Sequence, residues 1–543
     1  MSRRRTTVVT ALALPLLVST LAACGSSAAS SASPGHSAVE TAEASSAVTI
    51  AVSSLPTLAD IDPKSSSDSI ASQNTAENIA GTLFSYDGSS ANPDTASSIP
   101  APSPDLALSG TPSASGLTWT FKLRPHVLSQ DGNPLTAADV VWTIKRALHT
   151  AQSGATLLEG IHINTKNPAT ATGPLTVQLN LTAPDSLVEK TLAVSFLGIL
   201  DEKAVVAKSP ATDPYGYTYL GSHSATFGPY EVSTDELPNK IVLTANPHYW
   251  GGAPEITRAT FVQIADDSTR LEAALSGQVD YAAGLQSTDL ATIKSSSDKA
   301  YLQPNAILDL YAIFELKNAS VQNATVRRAL SMAIDRKQIA TTAYAGLATP
   351  ITSCVPSSLY SGGTPTYPAA GDPAAAKQLL ATVSGAPTSL SIGYPTVSPG
   401  ASEIAEVMQA GMQAAGVTVT LDPIAAYSTF VADQAAGKFA IGLGGIGPNV
   451  VDPGYILYAT LDGKSTYDLG AYQSTTFDAM ALKMQSTTGA AHETALAKTC
   501  DIANQDEPLA PLVNLGGLGA VSPKFTKLSS FGQLPILYNM RYQ

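Results

Sequence analysis

The chain has 543 residues, enough for two or three domains. Its 30 Lys and Arg against 43 Asp and Glu give a net charge of −13, so neither a nucleic-acid backbone nor an anionic lipid face attracts it. Three cysteines are too few for a disulfide scaffold.

At the N-terminus, Arg3, Arg4 and Arg5 precede an uncharged, mostly apolar run over residues 8–23 that Pro15 interrupts. This run is shorter than the about 20 residues that span a bilayer, and its flanks are those of a secretory signal. It ends in Leu21-Ala22-Ala23-Cys24. That tetrad resembles the lipobox of bacterial lipoproteins, which implies that Cys24 is diacylated and becomes the mature N-terminus. Residues 1–23 are thus expected to be a lipoprotein signal peptide. Residues 24–47, mostly Ser, Ala and Gly, are expected to form a flexible tether, since they hold too little apolar surface to offset their ordering entropy. The mature protein is expected outside the bacterial cytoplasmic membrane, held to its outer face by lipid.

The mature chain opens with a strand at residues 47–53 that alternates apolar and polar side chains. Residues 117–123 (LTWTFKL) alternate strictly and predict a second, half-buried strand. After an Asp131-Gly132 turn, Thr136 caps a helix with Asp139 three residues on. Val140, Ile144, Ala147 and Leu148 form its apolar stripe, and Lys145, Arg146 and His149 fall where the helix dipole favours cations. Residues 246–254 (NPHYWGGAP) carry one of the three tryptophans between an Asn-Pro turn and two glycines, the chemistry of a packed corner. Asp266 and Asp267 suit a helix N-terminus. Val326, Leu330, Ala333 and Ile334 mark another helix. Residues 390–421 read as strand, amphipathic helix closed by Gly416, and returning strand, so the two strands are expected to be parallel.

Three stretches, 117–148, 227–280 and 323–350, are far more specific in combination than singly. In this order and spacing they resemble the extracellular solute-binding proteins of family 5, receptors of peptide-type ABC importers. The resemblance implies an α/β, two-lobed periplasmic-binding-protein-like fold of the cluster C type, with a hinge and an inserted subdomain. It places the first lobe in 48–80, 221–310 and 506–543, the inserted subdomain in 81–220, and the second lobe in 311–505. It also implies a small solute held between the lobes, ABC permease subunits as partners, and a monomer.

Enzyme chemistry finds little support. Residues 442–447 fit G-x-G-x-x-G, but Pro448 and Pro453 follow where a phosphate-binding helix should begin. Ser296 to Lys299 fit S-x-x-K but lie in a polar Ser-rich stretch without the companion S-D-N or K-T-G, there is no G-x-S-x-G, and the seven histidines show no ligand spacing, so no cofactor, no metal and no catalytic residue is expected. The informative loop is residues 444–453. In peptide-binding relatives it resembles W-x-x-D-x-x-[DE]-P, whose first acid pairs with the ligand ammonium. Counting back from Pro453, that acid falls on Asn449 and the tryptophan on Ile446, while Asp452 matches the acid before proline. An amide offers a donor and an acceptor but no charge. The expected ligand contacts are Asn449, Ile446, Gly445, Asp452 and Tyr455, with Ser54 and Leu55 from the first strand's end. The ligand is a peptide, or an oligosaccharide or other small polar solute; an extracellular sensor is a further alternative and a secreted hydrolase the weakest. With Cys24 acylated, Cys354 and Cys500 remain as a candidate disulfide or as two buried thiols.

Overall fold

The computed structural model describes residues 47–62, 66–86, 102–237, 239–302, 308–447, 450–462, 470–531 and 534–543. Cys24, the signal-like segment, the tether up to residue 46, and Asn449 lie outside them. The chain starts with β1 (Ala47–Val52), then builds a small antiparallel sheet from β2 (Ala107–Pro112), β3 (Thr118–Leu123), β4 (Ala169–Gly173) and β5 (Thr176–Asn180). Between β3 and β4 runs α1 (Ala137–Thr150). Next come β6 (Tyr230–Glu236), β7 (Lys240–Ala245), β8 (Arg258–Gln263), β9 (Tyr281–Ala282) and β10 (Lys299–Leu302).

The chain then crosses into a second sheet. This holds β11 (Leu308–Phe314), β12 (Ala348–Pro350), β13 (Ser389–Pro395), β14 (Thr418–Ile424), β15 (Ile441–Ile446) and β16 (Leu509–Leu515). Its helices include α2 (Ala401–Ala414), α3 (Pro453–Leu461), α4 (Thr475–Gln485) and α5 (Gly489–Asp506). Finally β17 (Leu518–Val521) returns to the first sheet. The first sheet is ordered β10-β17-β9-β1-β8-β7-β6, the second β12-β16-β11-β15-β13-β14, and the small one β2-β3-β5-β4.

Local signals carried into structure directly. In β3, Phe121 and Leu123 are buried while Lys122 points out, as alternation requires. Thr136 and Asp139 exchange bonds in a capping box: the Thr136 N–H donates to Asp139 Oδ2 at 2.8 Å. Asp266 caps its helix by accepting from the Thr269 N–H. β13 and β14 pair in parallel from Ser389↔Thr418 to Pro395↔Ile424, with α2 as their crossover. At the aromatic corner the Asn246 side chain donates to Gly228 O and accepts from the His248 N–H, both at 2.9 Å. There the Arg124 guanidinium lies 3.8 Å from the centre of the Trp250 ring, and Tyr249 packs edge-on against Tyr538.

Two expectations differ. Arg146 does not serve the helix dipole from solvent. It is 2 % exposed, ion-paired to Asp60, and donates from Nε to Tyr215 O. Helical spacing puts a charge on a face but cannot say what packs against that face. The second difference concerns boundaries. The chain enters the second sheet between Leu302 and Leu308 and leaves it between Leu515 and Leu518, whereas the second lobe was expected to span 311–505. Leu509–Leu515 is buried along six of its seven residues, and its apolar run is equally compatible with either sheet. Only its pairing with β11 and β12 decides.

Candidate functional site

The loop singled out by sequence leaves the end of β15 and enters α3, on the edge of the second sheet where β13 also ends and α2 begins. Crossovers in such sheets gather strand ends and helix starts at one edge, which is where ligands bind in open α/β sheets. The β15 glycines serve close packing: a Cβ on Gly444 would come within 2.5 Å of Ile313 Cδ1, and one on Gly445 within 2.7 Å of Leu310 Cδ2. Beside them lies a cavity of about 60 Å³ lined by Leu310, Tyr311, Tyr344, Tyr427, Leu443 and Gly445 among others. Among the described residues, no charged side chain lines it. Its walls favour an apolar group over an ion.

The expected contact residues separate into distinct settings. Ile446 is 8 % exposed and packs in an apolar cluster with Tyr311, Ile313 and Cys354. Leu55 is buried in the first lobe's core, and Tyr455 packs against that same core from α3. Ser54 is exposed at the end of β1. Asp452 is buried and N-caps α3, with Oδ1 accepting from the Gly454 and Tyr455 N–H groups at 2.7 and 3.1 Å. Its other oxygen is ion-paired to Lys190 of the inserted subdomain. Cys354 and Cys500 form a disulfide with Cα atoms 5.5 Å apart, joining the segment before residue 360 to α5.

Several groups escaped sequence reading. Val450 and Val451, from the second-lobe loop, are 0 % and 5 % exposed and belong to the apolar cluster of the first lobe. Asp309, fully buried on β11 opposite Ile446 and Asn514, accepts from Asn514 Nδ2 at 2.6 Å and from the Tyr311 hydroxyl at 3.3 Å. Burial pushes its carboxyl up to about 7, and the two hydrogen bonds only partly oppose that. Burial likewise raises Asp185, against the pull of His162, whose Nδ1 lies 2.9 Å from Asp185 Oδ2. An acid such as Asp309 inside an apolar strand is the one sequence signal that could have marked it, because a carboxylate at a strand's core position needs partners. Among the described residues no cluster of potential metal ligands occurs, and no helix is long and apolar enough to cross a membrane.

A family description, bacterial extracellular solute-binding proteins, family 5 (middle region), matches residues 101–468. The glutathione-binding protein GsiB of Escherichia coli O1:K1 / APEC is 30 % identical over 279 residues, 51 % of this chain and 52 % of GsiB. The chain thus aligns with about half the length of the curated relatives it matches. Among solved structures, the ABC transporter substrate binding protein CtaP of Listeria monocytogenes superposes with a TM-score of 0.78 at 21 % identity, covering 91 % of this chain and 99 % of CtaP. The periplasmic binding protein DppA of Helicobacter pylori, in complex with the peptide STSA, gives 0.74 at 19 % identity, covering 91 % and 98 %. At such identities the agreement is one of fold.

Proposed function

This chain belongs to the bacterial extracellular solute-binding proteins of family 5, and from that premise we propose that it is the receptor of an ABC importer. It captures a small solute between its two lobes and delivers it to a membrane permease, without transforming it. The single observation that carries this reading is the match over residues 101–468, which takes in strands of both sheets and the segment between β15 and α3. Hinge closure over a solute is the physical means such a fold offers for sequestering it. Anchoring through Cys24, a location outside the cytoplasmic membrane, permease partners and a monomeric state form part of the same proposal.

For the ligand, we propose a solute that is uncharged where it meets residue 449 and apolar where it meets the β15 cavity: an N-blocked or otherwise neutral peptide-like molecule, with a sugar-like solute as second reading. GsiB is named for binding glutathione, which makes a peptide-like molecule the first choice. The uncharged lining of the cavity and the amide at Asn449 support the neutral end. An ammonium buried there without a counter-charge costs several kcal/mol, and each 1.4 kcal/mol is tenfold in affinity. The test is calorimetry with matched free and N-acetylated tri- and tetrapeptides beside a panel of oligosaccharides. Acetylated peptides are expected to bind on the order of a hundredfold more tightly than free ones. Tight binding of free peptides, lost on acetylation, overturns the neutral-end reading; no binding across the panel, with no solute found by mass spectrometry of the purified protein, counts against the receptor itself.

A further inference from the structure

Asp452 is the acid that sequence assigns to ligand recognition, yet both its oxygens are taken by the chain's own groups. Oδ1 caps α3, and Oδ2 meets the Lys190 ammonium, 262 residues away in the inserted subdomain. Around this pair lie other lobe-to-lobe contacts. The Tyr86 hydroxyl donates to Lys190 O and is hydrogen-bonded to the backbone of Val451. The Ser186 N–H donates to Gln485 O at the end of α4, at 2.8 Å. Val450 and Val451 lie in the first lobe's apolar cluster, and Tyr455 packs on its rim. On another side of the boundary, the Ser287 hydroxyl donates to Ala343 O at 2.9 Å.

On the short segment Val450–Asp452 these contacts combine apolar burial, a charge pair with one member 2 % exposed, and a hydrogen bond between the Val451 backbone and Tyr86. A loop that only recognised ligand would keep its acid free for it. We propose that Lys190 and Asp452, with Tyr86 and the Ser186–Gln485 hydrogen bond, form a clasp that holds the lobes together by the protein's own contacts, whether or not solute is bound. Lys190 is then a positioning residue, fixing Val450–Asp452 and the start of α3 from the opposite lobe. Opening requires withdrawing Val450 and Val451 from the core and separating the charge pair, so the closed form is favoured before any ligand contributes. The inference rests on the two-lobed receptor reading.

The side chain of Lys190 is one-third exposed, so its replacement leaves the core intact. Lys190→Met removes the charge and Lys190→Glu sets it against Asp452, whereas Lys190→Arg keeps the pair. Asp452→Asn breaks the pair from the other lobe and retains the helix cap, since Asn caps as well as Asp. Each protein is unfolded in guanidinium, dialysed free of solute and refolded, with circular dichroism confirming the fold. Small-angle scattering and hydrogen exchange at Val450 and Val451 then report closure. Wild type and Lys190→Arg are expected to be compact, with protected amides. Lys190→Met, Lys190→Glu and Asp452→Asn should expand and exchange about tenfold faster, and the Lys190→Met/Asp452→Asn double variant no faster than either single one, as a shared pair requires. Wild-type compactness and protection in all the variants overturn the clasp. So does a wild type that is already expanded and compacts only when a peptide from the calorimetric panel is added, a result that leaves the receptor reading standing. If the variants open as expected but no solute binds any of them, the clasp stands and the receptor reading falls.

Discussion

Asp309 shows how much one side chain can be worth. Its folded value of about 7 lies well above that of an exposed aspartate, near 3.8, so the fold prefers the protonated carboxyl. Stability from this group is therefore fully present below about pH 4 and is lost as the pH rises toward 7. Asp309→Asn keeps the shape, can accept from Asn514 and can donate to the Tyr311 hydroxyl, while carrying no charge at any pH. Its stability relative to wild type should be near zero below about pH 4 and favourable by on the order of 4 kcal/mol at pH 8. Other buried carboxyls, Asp62 among them, also titrate, but they do so equally in both proteins and cancel. Denaturant titrations across pH decide it: parallel profiles for the two proteins would show that Asp309 stays ionised in the fold. At this scale the sequence was partly legible. Thr136, Asp139 and Asp266 announced their caps by spacing alone, because a cap satisfies groups two or three residues away. Arg146, Lys190 and Asp309 were not legible, since their partners are distant in the chain.

Among elements, the β13-α2-β14 unit was read correctly because alternation, an amphipathic stripe and the Gly416 stop all lie within about 35 residues. β16 was not, because a mostly apolar strand buried along nearly its whole length carries no mark of which sheet receives it. The disulfide belongs here too. It ties α5 to the segment at Cys354 across a sequence separation of 146 residues. Linking residues so far apart restricts the unfolded chain, and native disulfides of this kind stabilise by about 2–5 kcal/mol. Reduction of the mature protein is expected to lower its unfolding free energy by that amount, and alkylation of the unfolded, unreduced protein should leave both cysteines unlabelled. Labelling of Cys354 and Cys500 without reductant would mean that they are free thiols in the mature protein.

For the whole molecule, two lobes with a shared boundary make binding and shape one question. Anchoring is the other large-scale expectation. Two acyl chains on Cys24 give stable membrane attachment where a single chain gives only a reversible one. Mass spectrometry of the membrane-extracted protein should find a diacylated Cys24 as its first residue. A free Cys24 thiol, or retention of residues 1–23, would show that the lipobox resemblance misled.

Sequence by itself determined the family, the α/β class, the local caps and turns, and the aromatic corner at Trp250. Each rests on contacts between residues close in the chain, or on patterns that recur in fixed order. Tertiary structure alone decided that Asp452 faces Lys190, that Val450 and Val451 enter the first lobe's core, and that Leu509–Leu515 joins the second sheet. These depend on pairings hundreds of residues apart, for which neither periodicity nor spacing carries a signal.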